Sequence, residues 1–269
     1  MFCITMATSQ TKNKTKVKPA QKKAQTAAAQ ATELARKPGR WLRKLWMWLG
    51  VAVLVFVVST VGAVLAFKWI EVPVTPLMLY RCAQQAYHGE PVRMEHQWVP
   101  MAEISHNVPQ AVMASEDNLF LRHKGFDLEQ IYQARLEALH GGRERGASTI
   151  SQQTAKNVFL WQGHSWVRKG LEAYFTVLIE FFWGKERIME VYLNSIEMGR
   201  GIYGVEAVAE FHFGKQASEL TAGEAALIAA SLPNPLTRNS ANPSKYMQKR
   251  KRQIMNLMGK IDDCGMGCK

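Results

Sequence analysis

Four stretches set ionisable and hydrogen-bonding side chains among apolar helical sequence. In SEDNLFLRHKG, residues 115–125, Glu116 and Asp117 follow the apolar run AVMA at an expected helix end. A carboxylate at the edge of a hydrophobic region has its pKa raised and can act as a general acid or base. A solvated helix-end pair with a histidine nearby would give the same pattern. In GASTISQQTAKN, residues 146–157, a glycine turn precedes Ser148, Thr149, Ser151, Gln152, Gln153, Lys156 and Asn157. Such a run of donors suits a sugar or a diphosphate. Ser148 is the expected N-cap, and the helix start behind it favours a phosphate.

In SWVRKGLEAYF, Arg168 and Lys169 stand four and three residues before Glu172, so all three share one helical face. They form either a surface ion pair or a second carboxylate held by cations opposite Glu116. The fourth stretch, residues 184–215, contains Lys185 and the glycines Gly199, Gly201, Gly204 and Gly214. It reads as a tight loop between helices with an architectural role.

Helices must position these groups, because strand signals are sparse. Asp127 with Gln130 makes a capping pair before LEQIYQARLEAL. Ser165 caps a helix running to about Trp183, with Val167, Leu171, Tyr174, Phe175, Leu178, Ile179 and Phe182 at helical spacing. Thr221 with Glu224 opens TAGEAALIAASL, and Asn242-Pro243 opens a last helix with a basic outer face. FLWQGHSW places Phe159, Leu160, Trp161 and Trp166 close together, either as core or as a membrane-interface patch.

The formal net charge of +12 suggests nucleic acid, but its distribution excludes that reading. Residues 1–44 hold eleven Lys or Arg against Glu33 alone, which leaves 23 basic and 21 acidic residues in the remainder. From Leu45 to Phe67, 23 residues carry no charge, enough for a helix to cross a hydrocarbon core of ~30 Å. Trp41, Trp46 and Trp48 at one end and Trp69 at the other suit the two interfaces. The basic flank places the N-terminus in the cytoplasm and Lys68 onward outside. Cleavage near Val64-Leu65-Ala66, as in a signal peptide, is the alternative.

The expected organisation is a basic tail over 1–44, an anchor over 45–67, an irregular stalk over 68–100, a mainly α catalytic domain over 101–240, and a C-terminal helix and tail over 241–269. Cys264 and Cys268 could pair locally in an oxidising compartment, while Cys3 falls in the tail.

Taken in order, EDxxFxxHxG at Glu116–Gly125, GxSTIxQQxxKN at Gly146–Asn157, RKxxE at Arg168–Glu172 and KxxIxExYLN at Lys185–Asn194 resemble the motifs of the peptidoglycan glycosyltransferase family. The resemblance covers roughly residues 75–235. No KTG element occurs, and the Ser-x-x-Lys match, Ser9 to Lys12, lies in the tail, so the chain is similar to the family's monofunctional form. The resemblance implies a lysozyme-like α-helical fold and polymerisation of lipid II at the inner membrane with release of undecaprenyl diphosphate. It implies Glu116 as base on the 4-hydroxyl of the incoming sugar and Glu172 as the second acidic residue. Lys156, Arg168 and Lys169 would lie near the diphosphate, Ser148, Gln152 and Gln153 would line the cleft with Asn157, and Asp117, Phe120 and His123 would shape the Glu116 site. A divalent cation, Mg or Mn, is expected on the diphosphate with its protein ligands unassigned, and no organic cofactor. The expected partners are lipid II, the growing glycan, the membrane and cell-wall synthesis or division proteins.

Two rival readings share some of these residues. A lysozyme-like lytic enzyme would need a protonated glutamate but has no use for the cations. A non-catalytic membrane adaptor would need neither the paired carboxylates nor the glutamine-rich cleft. The resemblance departs most at His164, where relatives carry an arginine thought to grip the diphosphate. Arginine stays charged and holds phosphate bidentately, whereas histidine with a pKa near ~6.5 is mostly neutral at pH 7. His164→Arg should therefore lower the Michaelis constant for lipid II several-fold at about pH 7.5. The gain should shrink towards about pH 5.5, where imidazole carries its own charge. Initial rates for both proteins at the two pH values check this, and indistinguishable curves would place His164 away from the diphosphate.

Overall fold

The computed structural model describes residues 19–141, 148–163 and 165–261. His164, Gly146 and the cysteines Cys3, Cys264 and Cys268 lie outside the described residues. The chain divides into two units near Thr60. The first helix, α1 (Pro19–Trp69), crosses that division, and its segment Trp41–Trp69 is long and apolar enough to cross a membrane.

The second unit is mainly α-helical. Its helices are α2 (Pro76–Tyr87), α3 (Asn107–Glu116), α4 (Leu128–Leu139), α5 (Ile150–Phe159), α6 (Trp166–Phe182), α7 (Lys185–Ser195), α8 (Val205–Phe213), α9 (Ala222–Ser231) and α10 (Lys245–Met258). Helices α3, α9 and α10 pack mutually on one another. The α9 alanines Ala225, Ala226, Ala229 and Ala230 are all buried, and side chains that small let its neighbours approach closely. Helix α5 packs on α6 and α7, where the rings of Phe159 and Phe175 stack 4.5 Å apart.

The last turns of α1 are tied into this unit. Trp183 Nε1 donates to Val64 O at 2.8 Å, and the Arg187 guanidinium donates to Phe67 O at 2.9 Å and to Ile70 O at 2.6 Å. A helix C-terminus leaves carbonyls without intrahelical donors, and a cation there also opposes the negative end of the dipole.

Several helix starts follow the sequence. Asp127 accepts from Gln130 N, Ser165 from Arg168 N, and Thr221 forms a reciprocal cap with Glu224. Two starts differ. Thr149, not Ser148, caps α5, because its side chain accepts from Gln152 N while the Gln152 amide accepts from Thr149 N. The last helix begins at Lys245, with Ser244 as its cap accepting from Met247 N, rather than at Asn242-Pro243.

The segment expected as an irregular stalk contains α2, capped by Thr75 with Pro76 in its first turn, and the strand β1 (Glu95–His96). The glycine-rich fourth motif holds two more strands, β2 (Glu197–Gly199) and β3 (Ile202–Tyr203), instead of a plain loop. In the sheet β3 is central, parallel to β1 and antiparallel to β2.

The turn from β3 into α8 depends on Gly204, whose φ is +83° and where a Cβ would lie 2.8 Å from Asn194 O. Side chains rarely adopt that φ, and backbone cannot give way as a flexible side chain would. Gly204→Ala should destabilise the protein by about 1–3 kcal/mol, read as a lower midpoint of thermal unfolding in detergent. An unchanged midpoint would show that the turn relaxes freely.

Candidate active site

Glu116 ends α3, whose Ala111, Val112, Met113 and Ala114 are buried, so its carboxylate emerges at the edge of the apolar core. It lines a cleft of about 550 Å³ with Ser148, Gln153 and Arg250. Ser115 Oγ donates to Glu116 Oε1 at 3.1 Å and Gln153 Nε2 donates to Oε2 at 3.4 Å. Burial pushes the Glu116 carboxyl above the usual range, and the two hydrogen bonds and the charges of Arg250 and Arg238 only partly oppose it. Gln153 is itself held, since Tyr192 Oη donates to its Oε1 at 3.2 Å. Burial drives the Tyr192 phenol well upward, so it remains a donor.

Asp117 lines the same cleft, but its carboxylate is committed to other partners. Its carboxylate accepts from His123 Nε2 at 2.9 Å and from Ile150 N at 3.0 Å, which ties the turn after α3 to the start of α5. Phe120 is fully buried beneath that turn, with Lys185 Nζ 4.5 Å from its ring centre and the His123 ring edge against it. Thr149 Oγ1 donates to Gly125 O at 2.7 Å. Gly125, at φ +86°, fits where a Cβ would meet Thr176 Cγ2 at 2.8 Å.

On α6, Glu172 is buried and accepts from Arg168 Nη1 at 3.0 Å and from Lys169 Nζ. It is therefore no surface ion pair of marginal worth. Lys169 Nζ also lies 3.4 Å from Ser148 Oγ at the rim of the cleft. Lys156, from the last turn of α5, feels Glu172, Arg168 and Lys169 together. Burial lowers its pKa first, the two neighbouring cations lower it further, and Glu172 raises it. Three cations thus face one carboxylate, and Arg168 Nε is buried without a hydrogen-bond partner. Such a group accommodates an added anion at low electrostatic cost.

The residues expected at the site therefore separate. Glu116, Asp117, Ser148 and Gln153 line one cleft. Lys169 joins it through Ser148, and Lys156 senses both Glu172 and Glu116. Gln152 turns inward as the capping partner of Thr149, and Asn157 is buried, so neither lines that cleft. Among the described residues, no three His, Cys, Asp or Glu side chains converge as a metal site.

Comparison with known proteins bears on this arrangement. Residues 84–259 match the family described as Transglycosylase. The chain belongs to the transglycosylase family. It is 53% identical over 220 residues to a biosynthetic peptidoglycan transglycosylase of Bacteroides thetaiotaomicron, covering 82% of this chain and 89% of that one. A protein of the same name from Bdellovibrio bacteriovorus is 50% identical over 217 residues, covering 81% and 86%. Another, from Caulobacter vibrioides, is 49% identical over 229 residues, covering 85% and 97%. The transglycosylase match begins inside α2 and runs through α10, so it takes in both the supposed stalk and the last helix.

That extent matters, because α10 supplies site residues that the motifs do not contain. Arg250 lines the cleft, and its Nη2 lies 3.4 Å from Ser115 O. Arg238, in the segment between α9 and α10, donates to Ala230 O at 3.2 Å, lies over the Tyr246 ring and adds its charge near Glu116. The sequence signal for Arg250 is the KRKR run, which reads as a solvated basic face.

Ser115 tests the electrostatics of the site. Its hydrogen bond favours the ionised form of Glu116, so removing it should raise the Glu116 pKa further. If turnover needs Glu116 ionised, the acidic limb of the kcat/KM profile of Ser115→Ala should move to higher pH than in wild type. The loss of rate should be largest on that limb and small on the alkaline side. A limb that stays in place would separate Ser115 from the titrating group.

Proposed function

We propose that this chain polymerises lipid II into linear glycan strands, with Glu116 as general base. Glu116 takes the proton from the 4-hydroxyl of the incoming lipid II. The freed oxygen bonds to the anomeric carbon of the growing chain, and the bond from that carbon to the undecaprenyl diphosphate breaks with inversion. A sugar hydroxyl is a weak acid and needs a positioned base, while a diphosphate leaves with its charge and needs cations more than a proton. Lys156, Arg168 and Lys169 meet that second need, and Glu172 holds Arg168 and Lys169 in place through its two ion pairs. A divalent cation would come with the diphosphate oxygens.

The observation that carries the reading is the pairing of a buried, upward-shifted carboxylate with a cation-rich group at the rim of the same cleft. The names of the relatives support it. A lytic enzyme finds less support. Glycosidases use two carboxylates that both take part in the reaction, whereas the other two acids lining this cleft are committed. Asp117 holds His123 and Ile150 N, and Asp127 caps α4.

The site also suits a substrate that cannot leave the membrane. Trp41–Trp69 would be the single anchor in the inner membrane, with the basic tail inside and the helical domain in the periplasm. The FLWQGHSW residues divide between two roles. Phe159 and Leu160 enter the core, while Trp161 and Trp166 are 50% and 92% exposed. Trp166 with Val167, Val177 and Phe181 makes an apolar outer face of α6, suited to the interface. Cell-wall synthesis and division proteins belong to this reading as partners.

Glu116→Gln keeps shape and removes the base. Polymer formation from labelled lipid II, read as muramidase-sensitive product, should fall at least 10²–10⁴-fold, the usual contribution of a general base. The folded state binds the Glu116 proton more tightly than the unfolded chain does, so the ionised carboxylate weakens the fold as pH rises above the unfolded value. The neutral variant should therefore unfold at an equal or slightly higher temperature at neutral pH. Near-normal polymerisation by Glu116→Gln would refute the assignment.

A further inference from the structure

The cleft around Glu116 shares a wall with a second cavity of about 230 Å³. Asn118, Leu119 and Leu257 line both. The second cavity lies between the turn after α3 and the end of α10. Its apolar surface includes Met113, Leu121 and Ile261, and it carries two exposed cations, Arg122 and Lys260. Ser148, with Lys169 beside it, lines only the first cavity, while Arg122 and Lys260 line only the second. The two cavities lie on either side of that shared wall, with the Glu116 carboxylate in the first and the two cations Arg122 and Lys260 in the second.

The two groups of cations differ in chemistry. Lys156, Arg168 and Lys169 are drawn together around a buried carboxylate, as a compact dianion requires. Arg122 and Lys260 stand over apolar side chains at a solvent-facing rim, which suits a carboxylate on a short peptide of small side chains. Lipid II carries such a branch, rich in alanine methyls and bearing free carboxylates. The branch hangs from the sugar next to the one that offers its 4-hydroxyl. Its pocket should therefore adjoin the catalytic cleft without coinciding with it, as the shared wall provides.

We propose that the cavity lined by Arg122 and Lys260 binds the carboxylate-bearing peptide branch of the incoming lipid II, and that these two cations select for it. This rests on the reading of the chain as a lipid II polymerase.

The test compares full-length wild type with Arg122→Gln, Lys260→Gln and Lys260→Glu. Each receives two substrates, lipid II with free peptide carboxylates and the same lipid with those carboxylates amidated. Wild type should use the free acid with a kcat/KM roughly three- to tenfold higher, mostly through KM, the range for ion pairs near a surface. Each neutral variant should lose most of that preference, Lys260→Glu should lose all of it, and added salt should shrink it in wild type. Thermal midpoints equal to wild type show that the exposed substitutions leave the fold intact. Equal losses on both substrates would overturn the proposal, because the cations would then act on the diphosphate or on the fold. A preference unchanged in all three variants would overturn it as well. Wild type that polymerises neither lipid would defeat the reading of function itself, an outcome separate from polymer made without preference.

Discussion

The Asp117 carboxylate is the joint on which the site turns. It lies one residue past the end of α3, and it accepts from His123 across its own turn and from Ile150 N at the start of α5. The second bond satisfies a backbone donor that has no intrahelical acceptor, and it places the negative charge at the positive end of a helix. Through it, the direction in which Glu116 leaves α3 is fixed relative to Gln153, one turn into α5. Asp117 is buried, so a neutral replacement would leave the Ile150 N–H and His123 under-satisfied and loosen both sides of the cleft together. The turn is supported from below as well. Lys185 sits on the Phe120 ring and reaches Glu180 at 2.7 Å, and Glu180 also takes the Ser151 hydroxyl. The KxxIxExYLN motif thus acts at a distance, through α7, on a turn some sixty residues earlier in the chain.

Burial acts on two charges of opposite sign and moves both towards neutrality. Glu116 binds its proton more tightly than an exposed glutamate, and Lys156 holds its proton less tightly than an exposed lysine. The first shift makes a stronger base. The second measures how far the cations crowd one another. Glu172 keeps that crowd together, because its two oxygens are divided between Arg168 and Lys169. A group in which cations outnumber carboxylates is stable only while partly solvated, and it becomes fully compensated when an anion enters. The unpartnered Arg168 Nε points to the same incompleteness.

Much of this was legible in the sequence wherever a local rule decides the outcome. Caps with one clear hydroxyl or carboxylate, at Asp127, Ser165 and Thr221, fall where their spacing puts them. Where two candidates stand side by side, composition alone could not choose. Thr149 displaced Ser148 because Gln152, not Gln153, stands three residues on and can close the reciprocal pair. That choice frees Ser148 for Lys169 and Gln153 for Glu116. The 68–100 segment looked irregular because its prolines were read as breakers, although Pro76 in a first turn favours a helix. Arg250 was illegible for a different reason. Its role depends on α10 packing against α9 and α3, a long-range contact that no local pattern in KRKR could announce.

That packing follows from the smallness of α9. With alanine at four buried positions, the helix lets α3 and α10 approach it and each other closely. Bulkier residues there would push Arg250 away from the Ser115 carbonyl and so away from Glu116. The opposite side of the fold is fixed by different means. Trp183, just after α6, and Arg187, in the first turn of α7, bind carbonyls of the last turns of α1. Arg168 lies fifteen residues before Trp183, or about 22 Å along the helix at 1.5 Å per residue. A helix standing upright on a membrane would therefore lift the cations far from any lipid diphosphate. Under the proposed membrane placement, a helix lying along the surface would keep them within reach. The exposed run of Trp166, Val167, Val177 and Phe181 on one side of α6 fits the second arrangement, since that face would otherwise remain in water. Under the proposed function, the clamp on α1 and the bare face of α6 would answer the same constraint, a substrate whose reacting diphosphate stays at the height of the membrane surface.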